Sequence, residues 1–158
     1  MSFLKLMTKK MTITIRKAKQ EDLETVHDLV RGLAIYEKAE ASFTASLKEY
    51  QEDFEAGWFE CQVAENEGVI VGMVIYYETF STWKGRMLYL EDFYVKEAVR
   101  RFGVGQKLFD AFHQTAREKG CKMTKWQVID WNTPAVKFYE KNNAIIEKEW
   151  WNVKIFLE

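Results

Sequence analysis

Two glycines stand where a predicted strand passes into a predicted helix, and this turn constrains the chain more than any other feature. Residues 87–95 are aromatic and β-branched enough to predict a strand. Residues 106–119 carry apolar side chains at helical spacing. Gly103 and Gly105 allow backbone N–H groups to point outward at the start of that helix. Such a turn attracts phosphate, because the helix dipole and the unpaired N–H groups both favour an anion.

The common phosphate-binding motifs do not fit this turn. A P-loop needs G-x-x-x-x-G-K-[ST], which is absent, and a dinucleotide fold needs a third glycine where this chain has Leu108. A lone G-x-G is weak evidence, because glycines at such turns are often only geometric. The pattern that does fit is R-x-x-G-x-G, from Arg100 to Gly105.

That pattern resembles the pyrophosphate loop of the GNAT superfamily of acetyl-CoA-dependent N-acetyltransferases. Three runs make the resemblance narrower: YLEDFYV at residues 89–95, RFGVG at 101–105 and WNTPAVKFY at 131–139. Their order and spacing are similar to the diamine acetyltransferase branch, the spermidine/spermine and thialysine N-acetyltransferases. The resemblance covers residue 11 to the C-terminus. It implies transfer of an acetyl group from acetyl-CoA to a primary amine, directly within a ternary complex.

Composition bounds the other possibilities. The chain has 158 residues, of which 47% are apolar, and its formal net charge is −1, so no global field favours nucleic acid or a membrane. No apolar run reaches transmembrane length. The two cysteines lack metal-ligand spacing, which predicts a reduced, cytoplasmic setting and no metal.

The hydrophobic pattern predicts an α/β protein of the α+β type. The predicted order is β-α-α-β-β-β-α-β-α-β-β, a mixed, mostly antiparallel sheet of about seven strands with helices on both faces. The last two strands are predicted at residues 144–149 and 151–157, and the strand before the final helix at residues 123–129. We expect residues 1–10 to be an extension or an alternative start, and residues 11–158 to form a single GNAT-like domain.

Acetyl transfer requires a neutral amine, whereas a lysine-type amine with a pKa of roughly 10.4 is mostly protonated at neutral pH. A base therefore helps, and Glu91 and Asp92 at the end of the aromatic strand are candidates. Neighbours on a strand face opposite ways, so at most one of the two is expected in a given cleft. The resemblance implies that Glu91 contacts the amine and removes its proton through water.

The departing thiolate needs an acid, and the resemblance implies that Tyr139 faces the coenzyme sulfur. A phenol with a pKa of roughly 10 is able to protonate a thiolate. Phe138 beside it is predicted to be an ordinary core aromatic.

The resemblance also implies which residues hold the coenzyme. The glycine turn supplies backbone donors, the end of the strand pairs with the pantetheine arm, and the start of the last helix flanks that arm. These residues are Phe93, Tyr94, Val95, Arg100, Arg101, Phe102, Gly103, Val104, Gly105, Gln106, Asn132, Thr133, Pro134, Ala135 and Tyr139. Arg101 departs from the resembled branch, which often has glycine there.

Acids and aromatics are expected on the amine side, because carboxylates attract a cation and aromatic rings cover it. The candidates are Tyr36, Glu37, Trp83, Glu91, Asp92, Trp126, Glu149 and Trp150. Ser81-Thr82 replaces an acid of the resembled enzymes, so diamines or lysine-like amines are expected to outperform spermine.

Alternatives remain at this level. The chain could acetylate a protein N-terminus or an antibiotic, or bind acyl-CoA without catalysis. Retention of both Glu91 and Tyr139 favours an enzyme. The resemblance and the aromatic residues near the C-terminus predict a homodimer.

Overall fold

The computed structural model describes residues 10–157, which form two compact units, residues 10–126 and residues 127–157. The predicted extension, residues 1–10, lies outside the described residues except for Lys10. None of the helices in the described part of the chain is long and apolar enough to cross a membrane.

The first unit contains a five-stranded sheet in the order β1-β2-β3-β4-β5. Consecutive strands from β1 to β4 pair antiparallel, and β5 pairs parallel to β4. The strands are β1 Ile13–Lys17, β2 Glu60–Asn66, β3 Val69–Ser81, β4 Gly85–Val95 and β5 Met123–Lys125.

Helices cover both faces of this sheet, as the sequence predicts. Helices α1 Leu23–Tyr36 and α2 Leu47–Glu55 lie on one face, where Val26 and Leu29 of α1 pack against Val63 and Ile75 of the sheet. Helix α3 Val104–Glu118 lies on the other face, where Phe112 packs against Tyr76 with 5.6 Å between ring centroids. Burial of these apolar faces fixes the position of each helix against the strands.

Local sequence rules place the helix ends and turns. The Ser46 side chain accepts a hydrogen bond from the Glu49 N–H, and the Glu49 carboxylate accepts one from the Ser46 N–H, which together form a capping box at the start of α2. The β2–β3 hairpin turns through Glu67 and Gly68, both with positive φ, as a tight two-residue turn requires. Gly120 follows α3 with φ 71°, the left-handed conformation that commonly ends a helix.

The second unit contains helix α4 Thr133–Lys141. The Asn132 side chain caps it by accepting from the Ala135 N–H at 3.4 Å, and Pro134 lies in the first turn, where its missing N–H is tolerated. Asn143 follows the helix with φ 63°, a left-handed conformation that asparagine tolerates.

The prediction of about seven strands is wrong: the described residues form five. Residues 144–157 have no strand structure, and β5 ends at Lys125 instead of Ile129. A strand exists only when a neighbouring edge pairs with it, and alternation of apolar residues in one segment does not reveal that edge.

Candidate active site

A β-bulge on β4 shapes the candidate active site. Asp92 pairs with Ile75 of β3 and Leu90 pairs with Tyr76, so Glu91 is an extra residue with no partner in this register. A bulge interrupts the alternation of side chains and changes the direction of the extra one. Glu91 and Asp92 consequently both line one cleft on the α1–α2 face, and the expectation that at most one would do so is wrong.

The cleft has a volume of about 320 Å³ and lies within the first unit. Helix α2 and the loop before it form one wall, the segment after α2 forms another, and β3 and β4 form the floor. Its lining consists of Ala45, Glu49, Tyr50, Asp53, Trp58, Phe59, Ile75, Tyr77, Glu91 and Asp92. This set contains four carboxylates and four aromatic rings, and no Lys or Arg side chain.

Two of these carboxylates are already engaged. Glu49 belongs to the capping box of α2, and its bonds to Ser46 hold the pKa of its carboxyl below the ordinary value. Glu91 accepts a hydrogen bond from the Tyr77 hydroxyl, with 3.0 Å between Oη and Oε2. The Tyr77 ring stacks on Tyr89 with 5.3 Å between ring centroids, which fixes the phenol over β4.

Asp92 has the most perturbed carboxyl in the cleft. Burial raises its pKa from 3.8 to about 7, and the charges of Glu91 and Glu37 add to this increase. Its carboxylate makes no hydrogen bond or ion pair with another residue of the described chain. A carboxyl that titrates near neutrality in a cleft is a candidate for proton transfer.

The glycine turn lies at the N-terminus of α3, as the sequence predicts. Gly103 is the N-cap residue with φ 77°, and it has no side chain to occupy the first-turn N–H groups. A Cβ added at Gly103 would meet no atom within 4 Å, so the turn opens onto free space. This cradle fits the pyrophosphate of a coenzyme, because an anion can approach the uncapped N–H groups closely.

Arg101 in the same turn also adopts positive φ, 73°. This conformation explains why glycine is common there in the resembled branch, since a side chain in the left-handed region costs about 1–2 kcal/mol. The Arg101 side chain is exposed and the turn remains formed.

Arg100 ties the turn to the rest of the first unit. Its Nε donates to the Val95 carbonyl at 2.8 Å, and its guanidinium lies 5.2 Å from the Tyr36 ring centroid and 5.3 Å from that of Tyr94. These contacts hold the turn against β4 and the end of α1. A direct contact of Arg100 with pyrophosphate stays a prediction.

Strand β4 extends beyond the part that β5 covers. The β4–β5 pairing involves only residues 87–89 of β4, so Phe93, Tyr94 and Val95 lie past the end of that ladder. Phe93 points to α3, where its ring is 6.0 Å from Phe109, and Tyr94 points to α1. The predicted pairing of these three residues with a pantetheine arm is compatible with this geometry.

Four predicted amine-binding residues of the first unit lie outside the cleft lining. Tyr36 contacts Arg100, Trp83 is exposed in the β3–β4 turn, and Trp126 packs edge-on against Phe109. Glu37 acts on the cleft through its charge on Asp92 and is itself half-buried, so burial raises its pKa. Of the predicted amine-binding residues in the first unit, Glu91 and Asp92 line the cleft, and their contact with an amine stays a prediction.

The remaining predicted site residues belong to the second unit. Tyr139 is buried on α4 and its ring lies 5.7 Å from that of Phe138. Asn132 caps α4, and Thr133, Pro134 and Ala135 form its first turn. Glu149 and Trp150 are exposed. The roles of all these residues stay predictions.

Sequence reasoning missed the contribution of α2 to the cleft. Tyr50 and Asp53 lie on this helix and Trp58 follows it, 74% exposed. Helical spacing places Tyr50 and Asp53 on one face, and the tryptophan just after the helix was the available indication in the sequence. Nothing in the chain showed which sheet edge this face would meet.

A glycine turn for a phosphorylated coenzyme, next to a bulged strand that carries carboxylates into a cleft, characterises the acyl-CoA-dependent N-acyltransferases. The model of the Acetyltransferase (GNAT) family matches residues 16–144, and the chain belongs to that family. It is therefore an acetyl-CoA-dependent N-acetyltransferase of the GNAT type.

Among curated relatives, the thialysine N-epsilon-acetyltransferase of Bos taurus is 36% identical over 152 residues, which cover 89% of each chain. Among solved structures, the aminoglycoside acetyltransferase meta-AAC0020 from an uncultured soil metagenomic sample, in complex with trehalose, has a TM-score of 0.78. It is 22% identical, and the match covers 92% of this chain and 97% of that one. The aminoglycoside N-acetyltransferase AAC(6')-Iy in complex with CoA has a TM-score of 0.71 at 18% identity, over 94% and 95% of the chains. These two structures share the fold.

Proposed function

We propose that this enzyme acetylates a primary amine of a small diamine, polyamine or lysine-like substrate, by direct transfer from acetyl-CoA in a ternary complex. The observation that carries the proposal is the lining of the cleft on the α1–α2 face. Four carboxylates and four aromatic rings surround a volume of about 320 Å³, without a basic side chain among the lining residues. Such a lining is complementary to a flexible chain that carries ammonium groups.

The cleft is suited to both parts of an alkyl diamine. Trp58 and Phe59 present apolar rings that can cover methylene groups, and Asp53 presents an exposed carboxylate without an ion-pair partner among residues 10–157. Each ammonium group of a diamine thus finds a negative partner, whereas an anionic group finds none. Trp58 is 74% exposed, and a bound cation that packs on its ring would explain a large aromatic side chain at this position.

The carboxylates on the bulge supply the base that the reaction needs. A bound ammonium must lose a proton before its nitrogen can attack, and the negative field of the cleft opposes that loss. Glu91 and Asp92 line the cleft together and constitute the proton-accepting site. The sequence resemblance assigns the base role to Glu91.

The coenzyme side follows from the glycine turn and from the resemblance. Backbone N–H groups of residues 103–106 are proposed to bind the pyrophosphate, and Phe93–Val95 with Asn132–Ala135 are proposed to flank the pantetheine arm. The bound coenzyme supplies the activated acetyl thioester. Tyr139 is proposed to donate a proton to the sulfur as the thiolate departs.

The relative named for thialysine supports a lysine-like amine, and the missing acid at Ser81-Thr82 argues for short substrates over spermine. The cleft adds a further preference. L-Lysine is 1,5-diaminopentane with a carboxylate added at one end. A lining that contains only negative charge should favour the diamine over the amino acid.

The test is a thiol-release assay with acetyl-CoA against a matched panel of amines: 1,5-diaminopentane, L-lysine, thialysine, n-pentylamine, spermine and an aminoglycoside. We expect the highest kcat/KM for the diamine or a lysine-like amine and a clearly lower value for spermine. If the aminoglycoside were by far the best substrate, the result would support antibiotic acetylation as the function of the enzyme. Acetyl-CoA binding without turnover of any amine would leave a protein substrate or a non-catalytic binding module.

Tyr139→Phe tests the proposed acid. The substitution removes one hydroxyl and little volume from a buried position, so the fold should hold. Acid catalysis typically contributes roughly 100- to 10,000-fold, and kcat should fall within that range while coenzyme affinity stays unchanged. Phe138→Leu on the same helix serves as a packing control. Nearly full turnover in Tyr139→Phe would reduce Tyr139 to a packing residue.

A further inference from the structure

We propose that Asp92, rather than Glu91, accepts the proton of the substrate ammonium, and that Glu91 is held by Tyr77 as a fixed neighbouring charge. This inference rests on the proposed function and assigns a different role to each of the two carboxylates at the bulge. It reverses the assignment that sequence resemblance suggests.

Glu91 is positioned by contacts that limit its movement. The Tyr77 hydroxyl donates to Glu91 Oε2 at 3.0 Å, and the Tyr77 ring is fixed by its stacking on Tyr89. The phenol thus occupies one carboxylate oxygen of Glu91. Glu91 is also the exposed member of the pair, at the rim of the cleft.

Asp92 occupies a different environment one residue further along β4. It is half-buried in the floor of the cleft beside Ile75, and it makes no hydrogen bond or ion pair with a neighbour in the described chain. Both oxygens therefore remain available to a ligand. A substrate ammonium that enters between α2 and β4 would meet this carboxylate with no competing donor from the protein.

The titratable groups around Asp92 in the described chain are acidic or neutral. They are Glu37 after α1, Tyr50 on α2, Cys61 on β2, Tyr77 on β3 and Glu91 on β4, while Glu49 and Asp53 of α2 line the same cleft. Burial is the largest cause that raises the Asp92 pKa to about 7, and the charges of Glu91 and Glu37 contribute less. A base is most effective when its pKa lies near the working pH, because it is then both ionised and basic enough to take a proton.

The proposed step is a single proton transfer. One N–H bond of the substrate ammonium breaks, an O–H bond forms on Asp92, and the nitrogen retains the electron pair that attacks the thioester carbonyl. A second N–H proton leaves when the C–N bond has formed and balances the proton taken up by the departing sulfur. Asp92 returns its proton to solvent before the next turnover.

The experiment is the pH dependence of kcat/KM for 1,5-diaminopentane, from pH 5 to pH 10, in the full chain and four variants. Wild type should lose activity below an apparent pKa of about 7. This loss of activity is the acidic limb of the pH profile. Asp92→Asn should lose roughly 100- to 10,000-fold in rate and should lack the acidic limb, so that its rate rises only toward the pKa of the amine. Glu91→Gln should retain the limb and move it to lower pH, because one of the charges that raise the Asp92 pKa is removed.

Glu37→Gln and Asp53→Asn form the matched pair of controls. Glu37 acts on Asp92 through its charge, so its replacement should also move the limb to lower pH. Asp53 lines the cleft but does not contribute to the Asp92 pKa, so Asp53→Asn should raise KM and leave the limb in place. In an Asp-labelled sample, the Asp92 carboxyl carbon should titrate near pH 7 by NMR, and at lower pH in Glu91→Gln.

Two results would overturn the inference and leave the proposed function standing. One is disappearance of the limb in Glu91→Gln with its retention in Asp92→Asn, which assigns the base to Glu91. The other is an Asp92 carbon that titrates near pH 4. Failure of wild type to acetylate any small amine while it binds acetyl-CoA would overturn the proposed function itself and the base assignment with it.

Discussion

A buried carboxyl such as Asp92 lowers the stability of the folded protein whenever it is ionised. Its pKa is about 7 in the folded chain and 3.8 ordinarily, so its favourable contribution is complete below pH 4 and is lost as pH rises through 7. Asp92→Asn removes this titration. We expect equal stability of the two proteins near pH 4 and a more stable variant at pH 8, by up to about 4 kcal/mol.

Thermal unfolding at pH 4 and pH 8 measures this effect. Asp53→Asn is the matched control, because Asp53 is an exposed carboxylate of the same cleft and its replacement should give the same small change at both pH values. A stability difference for Asp92→Asn that does not depend on pH would contradict the assignment. A base that costs stability in this way is typical of an active site.

Arg101 also lowers the stability of the folded protein, in this case through backbone strain. Its φ of 73° is unfavourable for a residue with a side chain, and its side chain is exposed, so Arg101→Gly should stabilise the protein by about 1 kcal/mol. Ala98→Gly, in the short 3-10 helix just before, should instead destabilise by roughly 0.5–1 kcal/mol. Denaturant unfolding compares the two, and a less stable Arg101→Gly would mean that the side chain makes a favourable contact.

At the scale of single elements, the start of α3 is proposed to be the coenzyme site. Gly103→Asn places a side chain in the open space above the first-turn N–H groups, while asparagine tolerates the left-handed backbone that φ 77° requires. We expect acetyl-CoA affinity to fall at least about tenfold, because the pyrophosphate could no longer approach the backbone. Isothermal titration calorimetry measures the change.

Gly68→Asn is the control for this prediction. Gly68 has φ 81° and open space around the position of a Cβ, but it lies in the β2–β3 hairpin. The two variants should lose similar stability, and only Gly103→Asn should lose affinity. Equal acetyl-CoA affinity in both would remove the glycine turn from the coenzyme site.

The elements also show how far local sequence reaches. The capping box at Ser46, the turn at Glu67 and Gly68 and the strand-to-helix turn at Gly103 were all predictable, because each is determined within a few residues. The bulge at Glu91 was not. It depends on the register between β3 and β4, and nothing within the YLEDF run indicates that one residue will lack a partner.

The candidate site divides in the same way. Glu91 and Asp92 were found from a local motif, whereas Tyr50, Asp53, Trp58 and Tyr77 enter the cleft through the packing of α2 over β3 and β4. Conversely, Trp126 is an aromatic residue that was predicted to bind the amine, but it lies outside the cleft lining and packs edge-on against Phe109. Residue type indicates which side chains could bind a cation, and tertiary packing determines which of them line the cleft.

At the scale of the whole molecule, the segment that follows α4 is unusually apolar for its exposure. Six of its apolar side chains are more than four-fifths exposed: Ile145, Trp151, Val153, Ile155, Phe156 and Leu157. An exposed run of this kind marks an interaction surface more often than a solvated tail.

We predict that a second copy of the chain covers this segment, so that the enzyme is a homodimer in solution. Light scattering at micromolar concentration should give twice the chain mass of 18.7 kDa. Replacing Val153 and Ile155 together by Glu should shift the mass to that of the monomer, because charges would be buried in the interface. The matched double replacement of Lys148 and Glu149 by Ser should leave the dimer intact, since both side chains are exposed and polar. A single monomeric mass for the wild-type chain at this concentration would refute the homodimer, and the apolar segment would then need a different partner.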